Sequence, residues 1–211
     1  MNTDLKLIET FLYIPNYGAV NLLDHLARLD KSAAYFNFPY TKNKIQKFLT
    51  NKLESFKSIK KVRITLDKDG RLELTENDFI RQAPYNKWNI AIASKKLDNN
   101  NILYNHKTSY REIYKIARNE FDQKTIQEVI IFNKNNHLAD GTISNIFIET
   151  PQRQLLTPDL SSGALDGILR KKLIKYLQVK PTQITLSDIK TSRNIYIGNS
   201  VRGIIKTNII Y

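Results

Sequence analysis

A chain of 211 residues makes one large domain or two small ones, and 41% hydrophobic with 25% charged residues is enough to bury a globular core. No apolar run reaches the length that spans a bilayer, and the absence of cysteine excludes disulfides, thiolate metal sites and cysteine nucleophiles. The net charge of +13 admits nucleic-acid binding, but the lysines are spread along the chain without an arginine-rich or aromatic-basic motif. A lysine-rich surface is the better reading, and a positive field that draws small anionic substrates to a cleft is a third.

Residues 5–14 (LKLIETFLYI) read as a strand, with Pro15–Gly18 as its turn. Asp24 can cap a helix through HLARLDKSAAYF that stops near Pro39, with Leu26, Leu29, Ala33 and Phe36 on one face. Thr41 can cap a second helix with Ile45, Phe48, Leu49 and Leu53 inward. In VRITLDKDGRLELT, Val62, Ile64 and Leu66 alternate with polar residues, Asp69-Gly70 turns the chain, and Leu72 and Leu74 return as a hairpin. The stretch 81–87 reads as a linker punctuated by Pro84. The domains are therefore expected at 1–82 and 88–211, joined by 83–87. A strand is expected at 88–94 and a helix over 108–121, with Tyr110, Ile113, Tyr114 and Ala117 clustered. EVIIFN and TISNIFIE read as strands joined through Lys134–Asp140, and LLTP as a short strand ended by proline. A helix starts near Gly167 with Ile168, Leu173, Ile174 and Leu177, and strands return at 193–198 and 203–210. The class is α/β (α+β), without internal repeats.

The opening MNTDLKLIETFLYIP has no basic segment followed by an apolar stretch and a small-residue cleavage site. A cytoplasmic protein with neither membrane nor nucleic acid as partner is expected. His25, His106 and His137 show no metal-binding spacing. There is no G-x-S-x-G and no Walker or Rossmann loop, so the enzyme routes left use Ser, Lys, Asp/Glu or a bound cofactor. LADGTISNIFIE (138–149) reads as one strand, yet Asp140, Gly141, Thr142, Ser144 and Asn145 put a carboxylate, two hydroxyls and an amide at its start. A core-filling strand has little use for them, although Asp-Gly is also a common turn pair and hydroxyls can satisfy backbone groups. Lys107 stands beside Thr108 and Ser109; alone, it reads as a solvated surface lysine.

In combination these features say more. HLARL at 25–29, HKT at 106–108, Asp140 followed by Ser144-Asn145-Ile146-Phe147, LLTPDLSSGALDGILR and IGNSVRG occur in one order. That order resembles the fold-type IV pyridoxal-phosphate enzymes, which include branched-chain and D-amino-acid aminotransferases and aminodeoxychorismate lyase. IETFLY, LLDHLARLDKSAAYFNFP, KVRITLDKDGRLEL, HKTSYREIYKIAR and GNSVRG are most similar to the lyase, especially the version fused to the C-terminus of p-aminobenzoate synthase.

The resemblance implies two α/β domains with pyridoxal 5'-phosphate between them, and a homodimer that acts on a small-molecule substrate, with a separate aminodeoxychorismate synthase as a possible partner. It implies that Lys107 forms the imine with the cofactor. It gives Arg28 to the cofactor phosphate, a use that suits a permanently charged fork. It gives Asp140 to the pyridine nitrogen, where the family has glutamate. Ser144, Leu165, Ile168, Leu169 and Ser200 are assigned to the cofactor, with the amides that open the helix at Gly167 favouring phosphate. Aminotransferases of the superfamily often have threonine where Leu169 stands, and lyase relatives often have proline where Asp166 stands. Arg111 and Arg202 are candidates for the substrate carboxylates. The activity implied is the lyase reaction, 4-amino-4-deoxychorismate to p-aminobenzoate and pyruvate, with amino transfer as the alternative.

Overall fold

The computed structural model describes residues 5–81, 83 and 86–210. They fall into two units, Met1–Arg81 with His106–Tyr110, and Gln82–Asn105 with Arg111–Tyr211. Of the expected linker 83–87, residues 84 and 85 lie outside the described residues.

In the first unit, β1 (Leu7–Ile14) pairs with β2 (Gly18–Ala19), which is followed by α1 (Leu22–Phe36) and α2 (Lys42–Leu53). The hairpin β3 (Lys60–Leu66) and β4 (Leu72–Asp78) completes an antiparallel sheet of order β2-β1-β3-β4. Leu7, Glu9 and Phe11 alternate onto one face of β1, and all three are buried. The cap of α1 is Asn21 rather than Asp24: asparagine tolerates the left-handed conformation found there (φ 57°), and Asp24 lies within the first turn. Thr41 does start α2, but its hydroxyl makes no capping bond. The hairpin turn is organised by Asp67, which accepts the N–H groups of Asp69 (3.2 Å) and Arg71 (2.9 Å), while Gly70 supplies φ 78°.

Residues 106–110 are not the start of a helix. Ile8 N–H donates to the carbonyl of Lys107 (2.8 Å), Ser109 N–H donates to the carbonyl of Lys6 (2.8 Å), and Thr108 bridges Leu7. This pairing holds the segment extended beside the start of β1. The helix expected over 108–121 is accordingly confined to α3 (Glu112–Asn119), and Tyr110 is exposed.

The second unit begins with β5 (Trp88–Ile92) and continues past α3 to β6 (Glu128–Phe132), β7 (Leu138–Gly141), β8 (Asn145–Glu149) and β9 (Leu155–Pro158). Then come α4 (Ile168–Leu177), β10 (Lys180–Thr182), α5 (Leu186–Thr191), β11 (Asn194–Asn199) and β12 (Gly203–Ile209). The sheet runs β10-β9-β8-β11-β12-β5-β6-β7, parallel at β10-β9, β12-β5 and β5-β6 and antiparallel elsewhere. Ile90, Ile130, Ile146, Ile148 and Ile197 form one core cluster, and Leu97, Tyr104, Tyr114, Val129 and Ile131 another. The single strand expected over 138–149 is two strands, β7 and β8, separated by a tight turn. Gly141 N–H donates to the carbonyl of Ser144 (2.8 Å), and Ile143, expected to be core, is 47% exposed.

Candidate active site

Each unit carries a polar cluster. In the first, Glu9 lies on the buried face of β1 at 1% exposure and meets two residues of α1 spaced one turn apart. Arg28 Nε donates to Glu9 Oε1 (2.8 Å) and Arg28 Nη2 to Glu9 Oε2 (2.7 Å), while His25 Nδ1 lies 2.6 Å from Glu9 Oε2. Burial alone would raise the Glu9 carboxyl; the Arg28 guanidinium and the His25 hydrogen bond outweigh it and hold it at about 2. Arg28 therefore pairs with Glu9 through two parallel bonds, and its fork is fixed in direction.

Lys107 is half-buried, with its backbone pinned on both sides by the pairing to residues 6–8. The preceding ring, His106, is clamped by the Ser32 hydroxyl (2.9 Å from Nδ1), by Tyr35 (centroids 4.8 Å) and by Phe36 edge-on (4.7 Å). Burial, with Lys31 nearby, pushes the His106 imidazole below its ordinary value, which favours the neutral ring.

In the second unit, Asp140 is the penultimate residue of β7, with 5% exposure. Its Oδ1 accepts Asn145 Nδ2 (3.1 Å), and its Oδ2 accepts the N–H of Leu165 (3.0 Å). Asn145 Nδ2 also donates to the carbonyl of Leu165 (2.9 Å). Leu165 is thus held through both its N–H and its carbonyl, two residues before Gly167 opens α4. Burial pushes the Asp140 carboxyl up to about 7; Glu128 adds to the rise, while the Leu165 and Gly141 amides and Asn145 oppose it. Gly167 allows close approach: a Cβ there would lie 1.9 Å from Asn145 Oδ1.

The other expected residues divide between placement and packing. No side chain caps α4, so the amides of its first turn are left for another acceptor. Ile168 is buried. Leu169 packs on Gly198, where a Cβ would lie 2.7 Å from Leu169 Cδ2. Asp166 is balanced by Lys171 (3.0 Å) and Arg170 (3.7 Å). Ser200 lies in the β11–β12 turn, which Asn199 closes by accepting the N–H groups of Val201 (3.0 Å) and Arg202 (2.9 Å). Asn199 Nδ2 donates to the carbonyl of Ile143 (3.1 Å), which ties that turn to the one between β7 and β8. Arg202 lies over the Trp88 ring at 5.5 Å. Arg111 donates to the carbonyl of Thr142 and stacks on Tyr114 at 4.7 Å. The Ser144 hydroxyl bonds to Glu128, a buried acid that sequence reasoning passed over together with Glu9 and His25.

This donor set suits pyridoxal phosphate. Uncapped amides and balanced acids at the start of α4 fit a phosphate, and a buried, fixed carboxyl at Asp140 fits a protonated ring nitrogen.

A family model described as class IV amino-transferase matches residues 6–210. The chain belongs to this family, whose members are pyridoxal-phosphate-dependent enzymes that include a lyase. Among its relatives, the aminodeoxychorismate lyase of Vibrio harveyi is 25% identical over 141 residues, or 62% of this chain. The chain spans about half that relative's length (52%). A Schizosaccharomyces pombe protein provisionally named aminodeoxychorismate lyase is 26% identical over 95% of this chain and 88% of its own. A solved structure from Mesorhizobium loti, provisionally named an amino-acid aminotransferase, is 30% identical, covers 98% of this chain and 100% of its own, and superposes with a TM-score of 0.94. Among the described residues, no helix is long and apolar enough to cross a membrane.

Proposed function

We propose that the chain is an aminodeoxychorismate lyase, releasing pyruvate and p-aminobenzoate from 4-amino-4-deoxychorismate. The observation that carries the reading is the match to two relatives named for this activity, joined to a leucine packed on Gly198 at the start of α4. Pyridoxal phosphate, when bound, supplies an electron sink for the carbon that loses its proton. Lys107 would hold the cofactor covalently, and its Nζ would take the proton from substrate C4. Asp140 would keep a proton at the ring nitrogen, the α4 amides would bind the phosphate, the role the family resemblance also gives Arg28, and Arg111 and Arg202 would hold the substrate carboxylates. Enolpyruvate leaves from C3 and the substrate ring becomes aromatic. The proposal extends to a cytoplasmic homodimer supplied by a separate synthase.

The test is a coupled assay with purified chain, cofactor, enzymatically generated aminodeoxychorismate and pyruvate detection. Pyruvate release that disappears in a folded Lys107→Ala variant is expected; release unchanged in that variant removes Lys107 from the reaction. The Mesorhizobium likeness favours a second reading, amino transfer. Incubation with leucine or D-alanine decides between them: rapid amination of the cofactor without pyruvate release supports the transferase.

A further inference from the structure

Glu128 has no exposed surface, and no step of the proposed reaction uses it. Its Oε1 accepts the N–H groups of Val129 (2.9 Å) and Thr142 (3.0 Å) and the Thr142 hydroxyl, and its Oε2 accepts the N–H of Ile143 (3.2 Å). The Ser144 hydroxyl bonds the same carboxylate. Most of these donors come from three consecutive residues, 142–144. An ionised carboxylate accepts at every lone pair, whereas an amide in its place would turn N–H groups against donors. The turn closes tightly on it: a Cβ at Gly141 would lie 2.7 Å from the Ser144 carbonyl oxygen and 3.1 Å from Glu128 Oε2. Immediately before this turn stands Asp140, and immediately after it Asn145, hydrogen-bonded to each other.

We propose that Glu128 is a positioning residue, the buried template on which residues 141–144 are wrapped, and that through this turn it fixes the aim of Asp140 and Asn145. Where Glu128 is ionised, its charge adds to the burial that pushes Asp140 up. Arg170 from α4 and Tyr114 face Asp140, and Arg202 from the β11–β12 turn faces Glu128; Arg111, beside Tyr114, holds the Thr142 carbonyl. Burial also raises the Glu128 carboxyl, against the hydrogen bonds from Thr142, Ser144, Val129 and Ile143. The importance of Glu128 to catalysis rests on the reading of Asp140 given above; its geometry does not.

The experiment therefore omits the cofactor. Carboxyl-carbon NMR follows Asp140 and Glu128 through a pH titration of the apo-chain, in the wild type and in Glu128→Gln. In Glu128→Gln, the Asp140 midpoint is expected to fall by about one pH unit, with the amide signals of residues 141–145 displaced. A folded variant that melts lower while the Asp140 midpoint and those amides stay put makes Glu128 a packing residue and overturns the proposal. If the variant does not fold, the wild type decides: each carbon reporting the other's titration as a second step supports the pair, and two independent single steps overturn it. Failure of the pyruvate assay leaves these outcomes untouched, so the two readings fail separately.

Discussion

Glu9 shows how a single residue can be read from strand parity. It shares the Leu7 and Phe11 face of β1, so its carboxylate had to be buried and had to find cations. His25 and Arg28 lie three apart on the same helix as Leu26 and Leu29, which are also buried, so the partners were visible too. Glu128 gave no such signal: a charge that begins an apolar run usually marks a strand end in water. Replacing Glu9 by Gln leaves Arg28 buried without its counter-charge, and is expected to destabilise the chain by about 3 kcal/mol in denaturant unfolding. Asp140→Asn is expected to lower kcat by about tenfold or more, because an amide cannot hold the proton at the ring nitrogen. Asp140→Glu, which restores the family's longer acid, is expected to keep or raise it. Steady-state pyruvate release measures both.

At the level of elements, alternation located β3 and β4, apolar stretches located β1, β6 and most of β8, and helical periodicity located α1, α2 and α4. The break between β7 and β8 was not legible, because the acid that organises it comes from another strand, thirteen residues upstream of Gly141. The same holds for 106–110, whose extended form comes from pairing with residues 6–8 rather than from its own pattern. In α5, Thr185 and Asp188 form a capping box, a local signal that was missed. Thr185→Ala should lower stability by about 1 kcal/mol. Gly167→Ala should be damaging, because Gly167 is buried and the new methyl must displace the Asn145 amide, and with it the hold on Leu165. A lower melting temperature together with weaker cofactor binding, measured by absorbance titration, is the expected result.

Across the whole molecule, the class IV fold was legible because five short motifs fell in one order, although none was specific alone. Two acids give the apo-chain opposite pH dependences. Glu9, depressed in the folded state, contributes stability above its unfolded value of 4.5 that is lost as pH falls toward about 2. Asp140, raised in the folded state, binds its proton more tightly there, so stability declines as pH rises from its unfolded value of 3.8 through about 7. Thermal melting across pH should therefore give a maximum between about pH 4 and 5 from these two groups, shifted to higher pH in Asp140→Asn. The net charge of +13 should show in kinetics: for an anionic substrate, kcat/KM falls with added salt while kcat holds.

The eight-stranded sheet is stitched shut from a distance. Strand β12 lies between β11 and β5, and Asn208 meets Asn89 across 119 residues of chain. During synthesis β5, β6 and β7 emerge long before the strand that joins them to the rest, and until it arrives β5 offers a bare row of amides and carbonyls to any neighbour. Nascent chains stalled short of residue 203 should therefore recruit chaperones or clump, whereas full-length chains released under the same conditions should not.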